Sequence, residues 1–160
     1  MGKVVNINEI VQIVKELKSE GKKVVFTNGC FDILHRGHVE YLAKAKELGD
    51  VLIVGLNSDS SVKQIKGDGR PIVSQEDRAF ILSNLAFVDY VVIFDEPTPY
   101  ELISKIIPDV LVKGNDWAIE DVVGRDIVEA NGGRVVLVEL TPNRSTTNII
   151  KTILERFCGR

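Results

Sequence analysis

Both histidines of this 160-residue chain, His35 and His38, stand three positions apart with Gly37 between them. Side chains at that spacing meet on one side of a helical turn. As ring N–H donors the two imidazoles could grip the oxygens of a phosphate, each neutral or charged according to its surroundings. Gly37 removes a side chain where a phosphate or a base could approach the backbone. A second chemistry uses the neighbours: Cys30, Asp32, His35 and His38 could ligate zinc, although their spacing matches no common zinc pattern. Neither a Walker A sequence nor Gly-x-Gly-x-x-Gly accompanies them, so P-loop and dinucleotide-binding chemistries lack their fingerprints.

For these residues to act together, a sheet must present them. Lys23-Val-Val-Phe-Thr27 is a compact β-branched run that reads as a buried strand, and residues 37–48 read as a helix with Gly49 as its stop. Asn28–His38 therefore lies at the carboxyl end of a strand, where ligands sit in open α/β sheets. It also lies at a helix N-terminus, whose free N–H groups and dipole favour an anion. The dipole contributes only about 0.3–1 kcal/mol, so side-chain donors are required for tight binding.

The same alternation continues along the chain. Residues 51–56, 90–94, 109–113 and 134–140 read as four further strands, five in all. Val4–Leu17 reads as a leading helix within residues 1–22, with Ile10, Ile13, Val14 and Leu17 on one face and Gly21 as its stop. Ser74 caps a helix to about Ala86. Thr98-Pro99 opens another, with Pro99 at its first position and Pro108 closing it. A helix near Val122–Ala130 ends at Asn131-Gly132-Gly133, and Ser145 caps a last one to about Phe157. Strands alternating with helices predict a doubly wound parallel five-stranded sheet covered on both faces. The long irregular stretch 58–73 carries Lys63, Lys66, Gly67, Gly69, Arg70 and Pro71. A loop of that length in a compact α/β domain is more often functional than not.

The whole chain narrows the classes. Its length predicts one domain, residues 1–160, with 44% apolar and 27% charged residues. A net charge of −3 argues against a nucleic-acid coat or a membrane-surface protein, though not against a local basic cluster. Residues 1–8 lack a signal peptide's apolar core, Asn6 stands where myristoylation needs Ser or Thr, and no apolar run reaches a membrane-spanning length. Two cysteines, Cys30 and Cys158, form no disulfide or metal framework and fit a reducing cytoplasm.

Gly29-Cys-Phe-Asp-Ile-Leu-His-Arg-Gly-His38 resembles the G-x-F-D-x-x-H-x-G-H motif of the nucleotidyltransferase superfamily with a Rossmann-like fold. The resemblance continues in residues 48–59, in Lys113-Gly-Asn-Asp-Trp117 and in Ser145-Thr-Thr-Asn-Ile-Ile150, so four blocks in order span residues 24–155. Within the superfamily the chain is most similar to the adenylyltransferase domain of ADP-heptose synthesis, on Lys66-Gly-Asp-Gly-Arg-Pro71 and the Ser-Thr-Thr-Asn-Ile-Ile ending. Relatives of that kind are often fused behind a sugar kinase. A chain of this length has no room for one, so a stand-alone transferase is expected, with a homodimer implied by relatives that are oligomeric.

The resemblance implies attack of a D-glycero-β-D-manno-heptose 1-phosphate oxygen on the α-phosphorus of ATP, with Mg²⁺ brought by the nucleotide and no all-protein metal cage. On that basis His35, His38 and Lys113 are the catalytic candidates. Cys30, Phe31, Gly37, Ser145, Thr146 and Thr147 are assigned to the nucleotide, the last three through hydroxyls and helix-start amides. Asp32 is assigned to orienting the acceptor, with helix capping as its alternative. Lys63, Lys66 and Arg70 would close over phosphate or form a solvated basic loop. Asp116 and Trp117 complete the acceptor set, Trp117 by stacking on a base or sugar or by plain packing. Arg78 reads as either a surface or a phosphate-facing residue, and Arg144 departs from the small or neutral residue expected before Ser145. Two other readings stay open: a cytidylyltransferase acting on glycerol 3-phosphate or a similar small phosphate, and a regulatory module that holds ATP without turning it over.

Overall fold

The computed structural model describes residues 1–158. Its strands are β1 (Lys3–Val4), β2 (Val24–Gly29), β3 (Val51–Asn57), β4 (Tyr90–Phe94), β5 (Val110–Gly114) and β6 (Arg134–Val138). The helices are α1 (Ile7–Ser19), α2 (Arg36–Lys46), α3 (Asp59–Lys66), α4 (Gln75–Ser83), α5 (Tyr100–Ile106), α6 (Arg125–Ala130) and α7 (Thr146–Phe157). A short 3-10 turn, Ile119–Asp121, precedes α6. None of the helices among the described residues is long and apolar enough to cross a membrane.

All strand pairs are parallel, in the order β1-β4-β3-β2-β5-β6. The two-residue alternation of a strand sorts the side chains into two cores. Val25, Leu52, Val54, Val91 and Val112 pack with Tyr41, Leu42 and Ala45 of α2 and with Ala79 and Leu82 of α4. Val24, Phe26, Ile53, Val92 and Leu111 pack on the opposite face with Ile10 and Val14 of α1 and Leu102, Ile103 and Ile106 of α5. Each such side chain taken fully out of water contributes about 1.5–3 kcal/mol. The near-continuous apolar runs follow from a sheet buried on both sides.

Several expectations are corrected. The sheet has six strands, not five, because Lys3 and Val4 pair with Tyr90 and Val91 at its edge. The leading helix consequently begins at Ile7 and not at Val4. Asn6 caps it in a reciprocal box, its side chain accepting from the Glu9 N–H at 2.8 Å while Glu9 accepts from the Asn6 N–H at 3.3 Å. The stretch 58–73 is not irregular throughout. Ser58 accepts from the Ser61 N–H and caps α3, and only residues after Lys66 form a loop. Pro99 sits just outside the first turn of α5 instead of opening it.

The chain runs outward from β2 through β3 to β4, then crosses back to lay β5 on the other side of β2. That reversal leaves a crevice between the carboxyl ends of β2 and β5. It is the place where doubly wound sheets take their ligands.

Candidate active site

A cleft of about 550 Å³ opens at this reversal. Its floor is the loop after β2, where Phe31 (φ 48°) and Ile33 (φ 50°) both take left-handed backbone angles. Such angles in bulky residues cost on the order of 1–3 kcal/mol each and persist only where the surroundings over-determine them. Here they do. The Asp32 carboxylate accepts from Arg70 Nε at 2.7 Å and from the N–H groups of Ile72 and Val73 at 2.8 and 2.9 Å. The Thr146 hydroxyl donates to the Asp32 carbonyl, and Arg78 donates to the Cys30 carbonyl at 2.7 Å. Burial alone would raise the Asp32 pKa, but these N–H donors and the Arg70 guanidinium outweigh it and hold the carboxyl below its ordinary value.

The loop delivers His35 to the cap of α2. Its Nδ1 accepts from the Gly37 N–H at 3.1 Å, and His38 Nδ1 accepts from the His35 N–H at 3.3 Å. A neutral imidazole that accepts at Nδ1 carries its proton on Nε2, so this network assigns both rings the Nε2–H tautomer. The rings stack with centroids 3.8 Å apart, and Phe31 meets the His38 ring edge-on at 5.4 Å. Burial and then the neighbouring His35 push His38 down to about 4, against the opposing pull of Asp32. Burial and the Arg144 charge also lower His35. Both imidazoles are neutral donors at pH 7.

This sets a pH dependence of stability. The unfolded chain protonates His38 near 6.5 and the folded chain only near 4, so between those values the unfolded state binds more protons. Stability conferred by the neutral ring is complete above pH 6.5 and declines as pH falls toward 4, by on the order of 3 kcal/mol in full. The Asp32 contribution is lost later, below about pH 3.8. Urea unfolding at pH 7.5 and pH 5 should show the first loss in the wild type. It should be reduced in His38→Asn, whose amide oxygen can replace Nδ1 but does not titrate.

Across the crevice, Lys113 at the end of β5 donates to Asn28 Oδ1 at 3.5 Å and lies 5.3 Å from the centre of the Trp117 ring. Burial pulls its pKa down, against the pull of Asp116. Trp117 is 43% exposed, leaving ring surface open to a ligand. Gly114 allows this turn, since a Cβ there would stand 2.7 Å from Asp116 Oδ1 and 2.8 Å from Leu140.

The third wall is the start of α7. Ser145 Oγ accepts from the Asn148 N–H at 3.0 Å, which leaves its own hydrogen free to donate. Thr147 also lines the cleft. The Thr146 hydroxyl is committed to the Asp32 carbonyl, so the expectation that it donates to phosphate is corrected; its backbone N–H stays at the helix start. The wall is tied to α2 by the Thr141 hydroxyl, which donates to Glu40, and by Lys44 Nζ, which donates to the Glu139 carbonyl at 3.1 Å.

Most of the residues singled out from sequence converge here: Cys30, Phe31, Gly37, Lys66, Arg70, Lys113, Asp116 and Trp117 line the cleft with both histidines and the 145–147 segment. Lys63 does not. It sits a turn back on α3, largely exposed and 3.8 Å from Asp68, away from the cleft. Asp32 borders the cleft, but its carboxylate is fully buried in loop contacts, so it anchors the loop and is not free to orient an acceptor. The zinc grouping does not assemble: among the described residues no three His, Cys, Asp or Glu side chains are placed to hold a metal. Arg78 is neither on the surface nor on the cleft but 1% exposed beneath it. Arg144, left without a role above, lines the cleft close enough to depress His35. A sequence signal existed for it. A cation beside a helix N-terminus is disfavoured by the dipole unless an anion joins them.

A parallel α/β sheet with a helix-capping histidine pair at its reversal point agrees with the nucleotidyltransferase resemblance of residues 29–38. A cytidylyltransferase-like family profile matches residues 26–155, and the chain belongs to that family as a nucleotidyltransferase enzyme. It is 55% identical over 154 residues to the bifunctional protein HldE of Syntrophotalea carbinolica, an alignment covering 96% of this chain and 31% of that protein. It is 61% identical over 148 residues to the bifunctional protein HldE of Campylobacter concisus, covering 92% of this chain and 30% of the relative. The chain thus spans about a third of the length of these relatives. Among solved structures, the lipopolysaccharide core biosynthesis protein of Thermoplasma volcanium superposes with a TM-score of 0.62 at 30% identity, covering 76% of this chain and 98% of that one. The pantoate-β-alanine ligase of Francisella tularensis superposes with a TM-score of 0.64 at 16% identity, covering 100% and 80%, and shares the fold.

Proposed function

We propose that the chain transfers AMP from ATP to D-glycero-β-D-manno-heptose 1-phosphate, giving ADP-heptose and pyrophosphate. The observation that carries the reading is the stacked pair of neutral, Nε2-protonated histidines at the start of α2, facing the start of α7 across the sheet's reversal point. Two helix N-termini and four cations, Lys66, Arg70, Lys113 and Arg144, suit a cleft that must hold two polyanions at once. No nucleophilic Ser or Cys is needed. Burial raises the Cys30 pKa, which keeps that thiol protonated and inert.

In the reaction an oxygen of the sugar 1-phosphate attacks the α-phosphorus, and the bond from that phosphorus to the β-phosphate oxygen breaks. Alignment and charge stabilisation supply the catalysis. The Nε2–H groups of His35 and His38 donate to phosphate oxygens as negative charge shifts toward the leaving pyrophosphate. The Ser145 hydroxyl and the first amides of α7 hold the β and γ phosphates. Arg70 Nε is engaged by Asp32, which fixes the guanidinium and leaves its Nη groups for the acceptor phosphate. Trp117 offers a face for the sugar or the base. Mg²⁺ enters with ATP as part of the substrate, and phosphate oxygens and water would supply its ligands.

What supports ATP over CTP is the Ser145–Ile150 context together with relatives named HldE at 52–61% identity. A heptose acceptor gains support from the structural relative in lipopolysaccharide core biosynthesis. The test follows the α-phosphorus. With [α-³²P]ATP and heptose 1-phosphate the label should move into ADP-heptose, whereas [γ-³²P]ATP should yield labelled pyrophosphate alone. Label from the γ position in a sugar product would overturn the reading.

A further inference from the structure

Beneath the cleft, the Arg78 guanidinium makes four contacts that join three separate segments of the chain. Nη1 donates to the Cys30 carbonyl at 2.7 Å and to the Asn57 carbonyl at 2.8 Å, Nε donates to the Val73 carbonyl at 2.9 Å, and Nη2 pairs with Asp59 at 2.8 Å. Those acceptors lie just beyond β2, at the end of β3, in the loop before α4 and at the start of α3. Together they carry much of one side of the cleft: the histidine loop, and the segment bearing Lys66 and Arg70. Val73 is held twice, its N–H by Asp32 and its carbonyl by Arg78. The left-handed residues Phe31 and Ile33 flank that same Asp32.

The geometry points to Arg78 as a positioning residue: it holds the strained 30–35 loop in the shape that places His35 and His38, without touching substrate itself. This deepens the proposed transfer reaction and rests on it. A planar fork of five donors can satisfy several carbonyls in fixed directions, and an ammonium cannot reproduce that pattern. Removing the fork leaves the loop free to relax toward ordinary backbone angles, which carries the histidine pair away from its mutual cap. A misplacement of about 1 Å at reacting groups costs about 10²-fold in rate.

The chain's two histidines make the test direct. In ¹⁵N-imidazole spectra at pH 7 without substrate, the wild type should show two rings protonated at Nε2. Arg78→Lys, verified as folded by circular dichroism, should show at least one ring as a tautomer mixture and should lose about 10²-fold in kcat. Its ATP KM should change far less than its kcat. Where Arg78→Lys folds poorly, Asp59→Asn loosens one of the four anchors at a half-exposed carboxylate and should move the same signals in the same direction. Unchanged imidazole signals in a folded variant overturn the inference, whether turnover is kept or lost, because any loss would then arise elsewhere. Failure of the wild-type chain to turn over would sink the transfer reading alone, since the spectra need no substrate.

Discussion

His38→Ala should lower kcat for ADP-heptose formation by about 10²–10³ while the KM for ATP stays within a few-fold, the signature of a preorganised donor that acts mainly in the transition state. His38 is held by its own Nδ1 acceptance from the His35 N–H and by stacking on His35, so its Nε2–H is aimed before substrate arrives. Burial keeps the ring neutral down to about pH 4, so no proton need be lost or gained for it to donate. Alanine removes that donor. It also removes the acceptor for the His35 N–H, so the effect should exceed that of His38→Asn, which keeps an acceptor near the Nδ1 position. Steady-state kinetics with saturating heptose 1-phosphate would show it. A kcat within about threefold of wild type would remove His38 from the transition state.

Asp32→Ala should cost about 3–5 kcal/mol of unfolding free energy, the usual penalty for stripping one partner from a buried ion pair. The carboxylate is fully buried and serves one guanidinium and two backbone N–H groups, and Arg70 beside it is only 17% exposed. Without it, three donors lose their acceptor together, and the left-handed turn at Ile33 loses the clamp that offsets its strain. Urea unfolding at pH 7.5 would register the change as a lower midpoint. Asp32→Asn should fall between, because its amide oxygen satisfies some of the donors and carries no charge for Arg70. A midpoint for Asp32→Ala indistinguishable from wild type would mean that the loop does not depend on this carboxylate.

The parts of this site that sequence revealed are the parts built from neighbours in the chain. His35, Gly37 and His38 fall within one turn, and the apolar runs before and after them mark a strand and a helix through their periods. The parts it concealed depend on distant partners. Asp32 reads as orienting an acceptor or capping a helix until Arg70, Ile72 and Val73 arrive from some 40 positions away. Arg78 reads equally as a surface or a phosphate-facing helix residue until three carbonyls from three segments meet it. His35 acts as a helix cap, a task for which Ser, Thr, Asp and Asn are the familiar signals, so α2 starts one residue before Gly37. The helix α3 escaped because Val62 and Ile65 are its only large apolar residues, too few to mark a face. Lys63 and Lys66 look equivalent in a basic loop, yet once α3 forms, Lys66 ends the helix at the cleft while Lys63 reaches outward to Asp68.

Adenylyl transfer to a heptose 1-phosphate frees one pyrophosphate per turnover, so pyrophosphate release decides both the reaction and its substrates. Purified protein with Mg²⁺ would be given ATP or CTP, each against heptose 1-phosphate, glycerol 3-phosphate and phosphopantetheine. Release with ATP plus heptose 1-phosphate should run well above that with every other pair. Release with CTP plus glycerol 3-phosphate would keep the phosphate chemistry of His35 and His38 but contradict both substrates. No release from any pair, with ATP still bound, would contradict the transfer reaction and favour a module that holds ATP without turning it over.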